Sequence, residues 1–219
     1  MQTSVDITRA MSEPKLHAPA TLRNRNPILV VLQRILPQEG LVLETSSGSG
    51  EHATYFAPRL ARLIWQPSDI DPAACASIAA HVAAAGTENL LPPVELDVTW
   101  AKWPVENATA IISVNMIHIA PWEACLGLLD GAARTLRGDN AILYFYGPFK
   151  RGGKHTAPTN DAFDRRLRAQ NPQWGIRDLD TVTAEAKIRG LITTEVIDMP
   201  SNNYSVVFSR SSLHHPASN

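Results

Sequence analysis

The stretch "LVLETSSGSGEHATYFA", Leu41 to Ala57, sets the reading of the whole chain. Its first residues form an apolar run that closes on an acid, Glu44, and read as a strand. The small residues Ser46-Ser47-Gly48-Ser49-Gly50 form a loop, and Glu51 to Ala57 reads as a short helix stopped near Pro58. Strand, glycine-rich loop and helix are the opening unit of a parallel α/β sheet. The neighbouring segments continue the alternation. Asn26 to Pro37 is predicted as a helix with Pro27 in its first turn and Ile28, Leu29, Val31, Leu32 and Ile35 as its apolar face. Leu63 to Ser68 is a second strand. Pro72 to Ala85 carries a helix signature, with Asp71 as its cap and Gly86 as its stop. Strands follow at Val94 to Asp97, Ala110 to Val114 and Ala141 to Tyr146, with a helix over Pro121 to Leu136.

After Tyr146 the alternation breaks. Lys150 to Pro158 reads as a loop, and Asp161 to Gln170 and Asp178 to Arg189 as helices. Leu191 to Asp198 and Tyr204 to Ser209 read as two strands joined by "MPSNN". The predicted fold class is therefore α/β and Rossmann-like: a mostly parallel sheet, an antiparallel C-terminal hairpin at its edge, and helices on both faces. One domain over residues 21–210 accounts for the pattern. Residues 1–20 and 211–219 are polar and mixed, and are expected to be disordered and flexible, respectively.

The 219 residues carry 20 Lys and Arg against 21 Asp and Glu, a net charge of −1. That balance argues against a nucleic-acid or membrane binder driven by bulk charge, although "DRRLR", Asp164 to Arg168, is locally basic. No 18-residue apolar run and no signal-peptide pattern is visible, so the expected location is cytoplasmic, as a monomer or homodimer. Cys75 and Cys125 are expected to be free and buried. No His or Cys spacing suggests a metal site.

In open α/β sheets, ligands bind at the carboxyl ends of the strands, so the loop after Glu44 is the first candidate site. A phosphate-binding P-loop needs a Lys that this loop lacks. A dinucleotide fingerprint needs a third glycine where Ala53 stands, and Glu44 would sit beside a dianionic pyrophosphate. A carboxylate at this point suits a ligand with a cationic or neutral end. S-adenosylmethionine is one, with a sulfonium, an ammonium and no phosphate. Glu44, Ser46, Gly48 and Gly50 resemble the (Asp/Glu)-x-Gly-x-Gly-x-Gly loop of class I methyltransferases, with Ser46 replacing the first glycine. Asp69 lies 19 positions after Gly50, the distance expected of a carboxylate that accepts the ribose hydroxyls. Asp97, at the end of the third predicted strand, is placed to accept from the adenine amino group.

On the acceptor side, "VNMIHIAPW" follows the fourth strand and offers Asn115, His118 as a candidate base, and Trp122. Tyr146, Gly147, Pro148 and Phe149 face them. His155, Asn160, Asp164, Arg177 and Asp178 are further polar candidates. Arg23 and Asn24, before the first predicted helix, are candidates to clamp the cofactor's carboxylate.

"RNRNPIL", "LETSSGSGEHATYFA", "WQPSDID", "NMIHIAPW", "YGPFK", "WGIRD" and "MPSNN" occur in one order over about residues 20 to 210. Together they resemble the family called domain of unknown function 938, or methyltransferase-like 26. The resemblance implies a class I methyltransferase sheet, S-adenosylmethionine as cofactor, and an unidentified acceptor, expected to be a small molecule. Cofactor contacts are then expected from Arg23, Asn24, Glu44, Ser46, Gly48, Gly50, Asp69, Ile70, Asp97, Val98 and Asn115. Asn115, His118 and Tyr146 are expected to face the acceptor. A non-catalytic binding protein on the same fold and a nicotinamide-dependent oxidoreductase remain as alternatives.

Overall fold

The computed structural model describes residues 15–210. The expected tail 211–219 and most of the expected disordered segment lie outside them. Residues 15–20, expected to be loose, are docked. Leu16 N–H donates to Ser77 Oγ (2.8 Å) and Ala18 N–H to Glu51 Oε2 (2.7 Å).

Helix α1 runs over Pro19–Ile35. It begins earlier than expected because Pro19, not Pro27, takes the first helical position. Pro27 lies inside the helix, where its missing N–H costs one internal hydrogen bond. The buried stripe Thr21, Asn24, Ile28, Leu29, Val31 and Leu32 keeps helical spacing, but its first two members are polar. That polarity hid the first two turns from an apolar pattern.

Strand β1 (Gly40–Thr45) leads through the glycine loop to α2 (Glu51–Phe56). Then come β2 (Leu63–Asp69), α3 (Pro72–Ala85), β3 (Val94–Glu95) and β4 (Ala110–Val114). α4 (Trp122–Thr135) and β5 (Ile142–Gly147) complete the alternating part. The predicted loop after β5 contains a two-residue hairpin, β6 (Lys150–Arg151) and β7 (Lys154–His155). α5 (Pro158–Gln170), α6 (Leu179–Ile188), β8 (Leu191–Met199) and β9 (Asn203–Arg210) follow. Asp71 caps α3 through a bond from Ala73 N–H at 2.9 Å, as its sequence position predicts.

The main sheet has seven strands in the order β3-β2-β1-β4-β5-β9-β8. The first five are parallel, and β9 runs antiparallel to both β5 and β8. The order reverses at β1, so the crevice between the carboxyl ends of β1 and β4 is the switch point where a ligand is expected. Alternation along the strands sends side chains to two cores. Val42, Trp65, Ile112 and Tyr144 pack under α1 and α2 on one face. Leu43, Ile111, Leu143 and Phe208 pack with α4 and α6 on the other. Among the described residues no helix is long and apolar enough to cross a membrane.

Candidate functional site

The glycine loop leaves β1 by a left-handed turn at Ser46 (φ 51°), followed by Gly48 (φ 58°) and Gly50 (φ 89°). The two glycines do different work. A side chain at Gly48 would meet no atom within 4 Å, so this backbone faces open space, as a ligand-binding backbone would. At Gly50 an added Cβ would stand 2.9 Å from Ile78 Cα. Gly50 is small because α3 crosses there, a packing reason separate from the cofactor contact expected of it. Ser47 ties the loop to β2, with its N–H on Ser68 O (2.8 Å).

Glu44 is 2 % exposed and lies on the same face as Val42. Trp65 Nε1–H donates to its Oε2 at 2.6 Å. The contact follows from register. Val42 pairs with Trp65, so Glu44, two residues on, is the diagonal neighbour of the indole. Burial raises the Glu44 pKa to about 7; the Trp65 bond lowers it, nearby Asp69 raises it further, and Ser47 lowers it. Beneath this pair Trp65 packs on Phe56, and Phe56 stacks on His52 at 5.3 Å between centroids.

Asp69, 7 % exposed, ends β2. Its Oδ2 accepts from Gly48 N–H (2.9 Å) and its Oδ1 from Asp71 N–H (3.0 Å). The carboxylate thus braces the loop from the end of β2, and each oxygen keeps lone-pair capacity. Ile70, next to it, is 51 % exposed, an apolar surface at the strand end. β3 is shorter than expected because Asp97 turns back on itself. Its Oδ1 takes Thr99 N–H (2.8 Å) and Thr99 Oγ1–H (2.7 Å). Val98 is buried, with Trp103 donating to its carbonyl at 3.2 Å.

The two residues expected from α1 part company. Asn24 is buried and its Oδ1 lies 2.8 Å from His52 Nε2. An amide oxygen only accepts, so His52 donates there, which turns the Asn24 amide nitrogen the other way. Burial, the dominant effect, lowers the His52 pKa to about 4. Arg23 is exposed on the outer side of α1 and makes no bond to the glycine loop.

On the acceptor side, Asn115 follows β4 in a left-handed conformation (φ 63°), and its N–H donates to Tyr146 O at 2.7 Å. His118 does not fit the role of a base. It is 1 % exposed, and its Nδ1 accepts from Arg177 N–H at 3.3 Å. The proton therefore sits on Nε2, which has no partner among the described residues. Burial first, then the positive Arg177, lowers its pKa to about 3. Phe149 lies edge-on to the ring at 4.9 Å. Gly147 closes over it, since a Cβ there would be 2.5 Å from Nε2. Tyr146 is 4 % exposed and burial raises its pKa, so it stays protonated at neutral pH.

Arg177 and Asp178 do not pair. Arg177 braces the segment after β4 by donating to the carbonyls of Ile117 (2.9 Å) and Ala120 (2.6 Å). Asp178 caps α6 and accepts from Gly153 N–H. Asp164 is buried among Lys150 (3.2 Å), Arg168 (3.2 Å), His155 (3.4 Å) and Ile176 N–H (2.6 Å). Asn160 holds Asn202 O at 2.9 Å. Cys125 is buried, whereas Cys75 is only half-buried, with its thiol on Asp69 O. Trp65, His52 and Lys150 escaped the sequence reading. An indole N–H and a buried Glu each demand a partner, but only the β1–β2 register joins them.

Residues 15–210 match the family described as "Protein of unknown function (DUF938)". Among solved structures, an O-methyltransferase family protein from Burkholderia thailandensis superposes with a TM-score of 0.75 at 15% identity, covering 89% of this chain and 58% of that one. CalO1, a methyltransferase in calicheamicin biosynthesis solved in its SAH-bound form, gives 0.68 at 16% identity, covering 88% and 55%. The chain spans little more than half the length of these two proteins. A candidate sarcosine dimethylglycine methyltransferase from Galdieria sulphuraria gives 0.70 at 13% identity and is matched over 87% of its length, with 88% of this chain covered. The fold is that of S-adenosylmethionine-dependent methyltransferases.

Proposed function

We propose that this chain, which belongs to the DUF938 family, is an S-adenosylmethionine-dependent methyltransferase acting on a small molecule. The observation that carries the reading is Glu44: a carboxylate buried at the carboxyl end of β1, with its pKa raised to about 7, beside the open backbone of Gly48. A buried carboxylate under that strain is stabilised by a cation and opposed by a phosphate. The cofactor's ammonium is such a cation. The same feature disfavours a nicotinamide dinucleotide.

The residues present fit the cofactor. Glu44 and the amide nitrogen of Asn24 would hold its amino-acid end, Gly48 its backbone-facing edge, Asp69 its ribose, and Ile70 and Val98 the adenine. When bound, it supplies a methyl group already activated by a sulfonium. The protein's part is then positioning. Asn115, fixed by its own N–H on Tyr146 O, presents an amide at the end of β4. His118, neutral and with its proton on Nε2, orders Phe149 and the Arg177 segment rather than removing a proton. Holding two reactants in line supplies most of the acceleration in such a displacement.

Incubation with S-adenosylmethionine and pooled small-molecule acceptors, followed by mass spectrometry, tests the reading. S-adenosylhomocysteine should accumulate only when an acceptor is present. Cofactor binding without any product across a broad acceptor set would favour a non-catalytic binding protein.

A further inference from the structure

We propose that Leu16 to Ala18 form a strap that holds the glycine loop in its cofactor-binding shape, with Ser77 and Glu51 as positioning residues between strap and loop. The inference rests on the methyltransferase reading and adds to it the part of the chain that sets the loop.

The strap is held by its backbone. The Leu16 side chain is 44% exposed, so apolar burial does little to fix it. Instead Leu16 N–H donates to Ser77 Oγ (2.8 Å), and its carbonyl accepts from His81 Nε2 (3.1 Å). A carbonyl only accepts, so that ring nitrogen carries the proton. Ser77 and His81 stand one turn apart on α3 and present one face to the strap. Ala18 N–H donates to Glu51 Oε2 (2.7 Å), and His17 Nδ1 lies 3.1 Å from Glu51 Oε1.

The same two groups hold the loop. Ser77 is fully buried, and its hydroxyl donates to Ser49 O at 2.8 Å while accepting from Leu16. Glu51 Oε2 accepts from Ser49 Oγ–H at 3.0 Å beside the Ala18 bond. Ser49 is thus gripped at its carbonyl and at its hydroxyl by groups that also grip the strap. It stands between Gly48, whose backbone faces open space, and Gly50, which packs on α3 at Ile78, next to Ser77. Burial pushes the Glu51 pKa up, but the bonds from Ala18, His17 and Ser49 outweigh it and hold the carboxyl below its ordinary value. Backbone bonds on a strap with little buried apolar surface leave its docking finely balanced against the entropy of ordering it. A ligand that needs the loop fixed therefore draws the strap in, and the docked strap favours the ligand by the same factor.

The test uses the full chain and Leu16→Pro, which removes one N–H from an exposed residue and leaves the Ser77–Ser49 bond in place. In free protein the variant should shift the backbone amide NMR signals of Gly48 and Ser49, to which Leu16 is joined through Ser77, with an unchanged urea midpoint. By calorimetry it should bind S-adenosylhomocysteine at least about fivefold more weakly. In wild type, saturating S-adenosylhomocysteine should slow trypsin cleavage of the Lys15–Leu16 bond about fivefold or more, because cutting there requires the strap to leave. Ser77→Ala, which parts strap from loop, should remove most of that slowing. Unmoved loop signals or unchanged affinity in Leu16→Pro, cleavage indifferent to the ligand, or full slowing in Ser77→Ala would overturn the proposal. Failure of S-adenosylhomocysteine to bind wild type strikes the cofactor reading instead, and the Gly48 and Ser49 signals of free Leu16→Pro then decide alone whether the strap sets the loop.

Discussion

Glu44→Gln isolates the charge on which the cofactor assignment depends. The glutamine keeps a carbonyl oxygen for Trp65 Nε1–H, now 2.6 Å from the carboxylate, and removes only the charge. With the folded pKa at about 7 and the reference at 4.5, ionised Glu44 costs the free protein about 3 kcal/mol above pH 7. The sign follows from a raised carboxyl pKa. Protonated Glu44 imposes no such cost below pH 4.5, and that stability is lost as pH rises through 7. Glu44→Gln should therefore raise the stability of the free protein at pH 8. Cofactor binding should move the other way. Wild type must ionise Glu44 to receive an ammonium, so calorimetry with S-adenosylhomocysteine should show affinity rising about tenfold from pH 6 to pH 8. The variant should bind about 10- to 100-fold more weakly at pH 8, the range of a lost charged hydrogen bond, with a flat pH profile. A flat wild-type profile together with unchanged affinity in Glu44→Gln would refute the reasoning.

Four further outcomes follow from the same geometry. Asp69→Ala removes the brace on Gly48 as well as the ribose acceptor, and should weaken S-adenosylhomocysteine binding at least about tenfold in a folded protein by calorimetry. Gly131→Ala would place a Cβ 1.8 Å from the Trp103 ring, so urea denaturation should show a loss of about 1–3 kcal/mol or more. His118 and His52, with pKa values lowered to about 3 and about 4, contribute stability above pH 6.5 that is lost as pH falls through those values. His118→Asn should blunt the acid limb of a stability–pH curve. Because burial keeps His118 neutral until pH falls to about 3, the rate–pH profile of wild-type methyl transfer should show no limb near pH 6.5 attributable to it, and a limb abolished by His118→Asn would contradict that assignment.

The parallel part of the fold was legible because each strand and helix announces itself locally. "AILYFY" is a β-branched and aromatic run, and Asp71, Pro72 and Gly86 bracket α3. The hairpin of β8 and β9 was legible from "MPSNN" between two apolar runs. What escaped depends on contacts distant in sequence. The first turns of α1 bury Thr21 and Asn24, and Asn24 is acceptable there only because His52 supplies its partner. In the site, Glu44 and Asp69 could be named from position, but not the Trp65 bond that sets the state of Glu44. His118 was read as a base from its type. Its surroundings reverse that, through Arg177, a residue 59 positions away.

The most direct measurement of the central claim is equilibrium binding of S-adenosylmethionine, S-adenosylhomocysteine and NAD to the same preparation. The account predicts saturable one-to-one binding of the first two and none of the dinucleotide. Binding of NAD, or of none of the three by a folded protein, would contradict it.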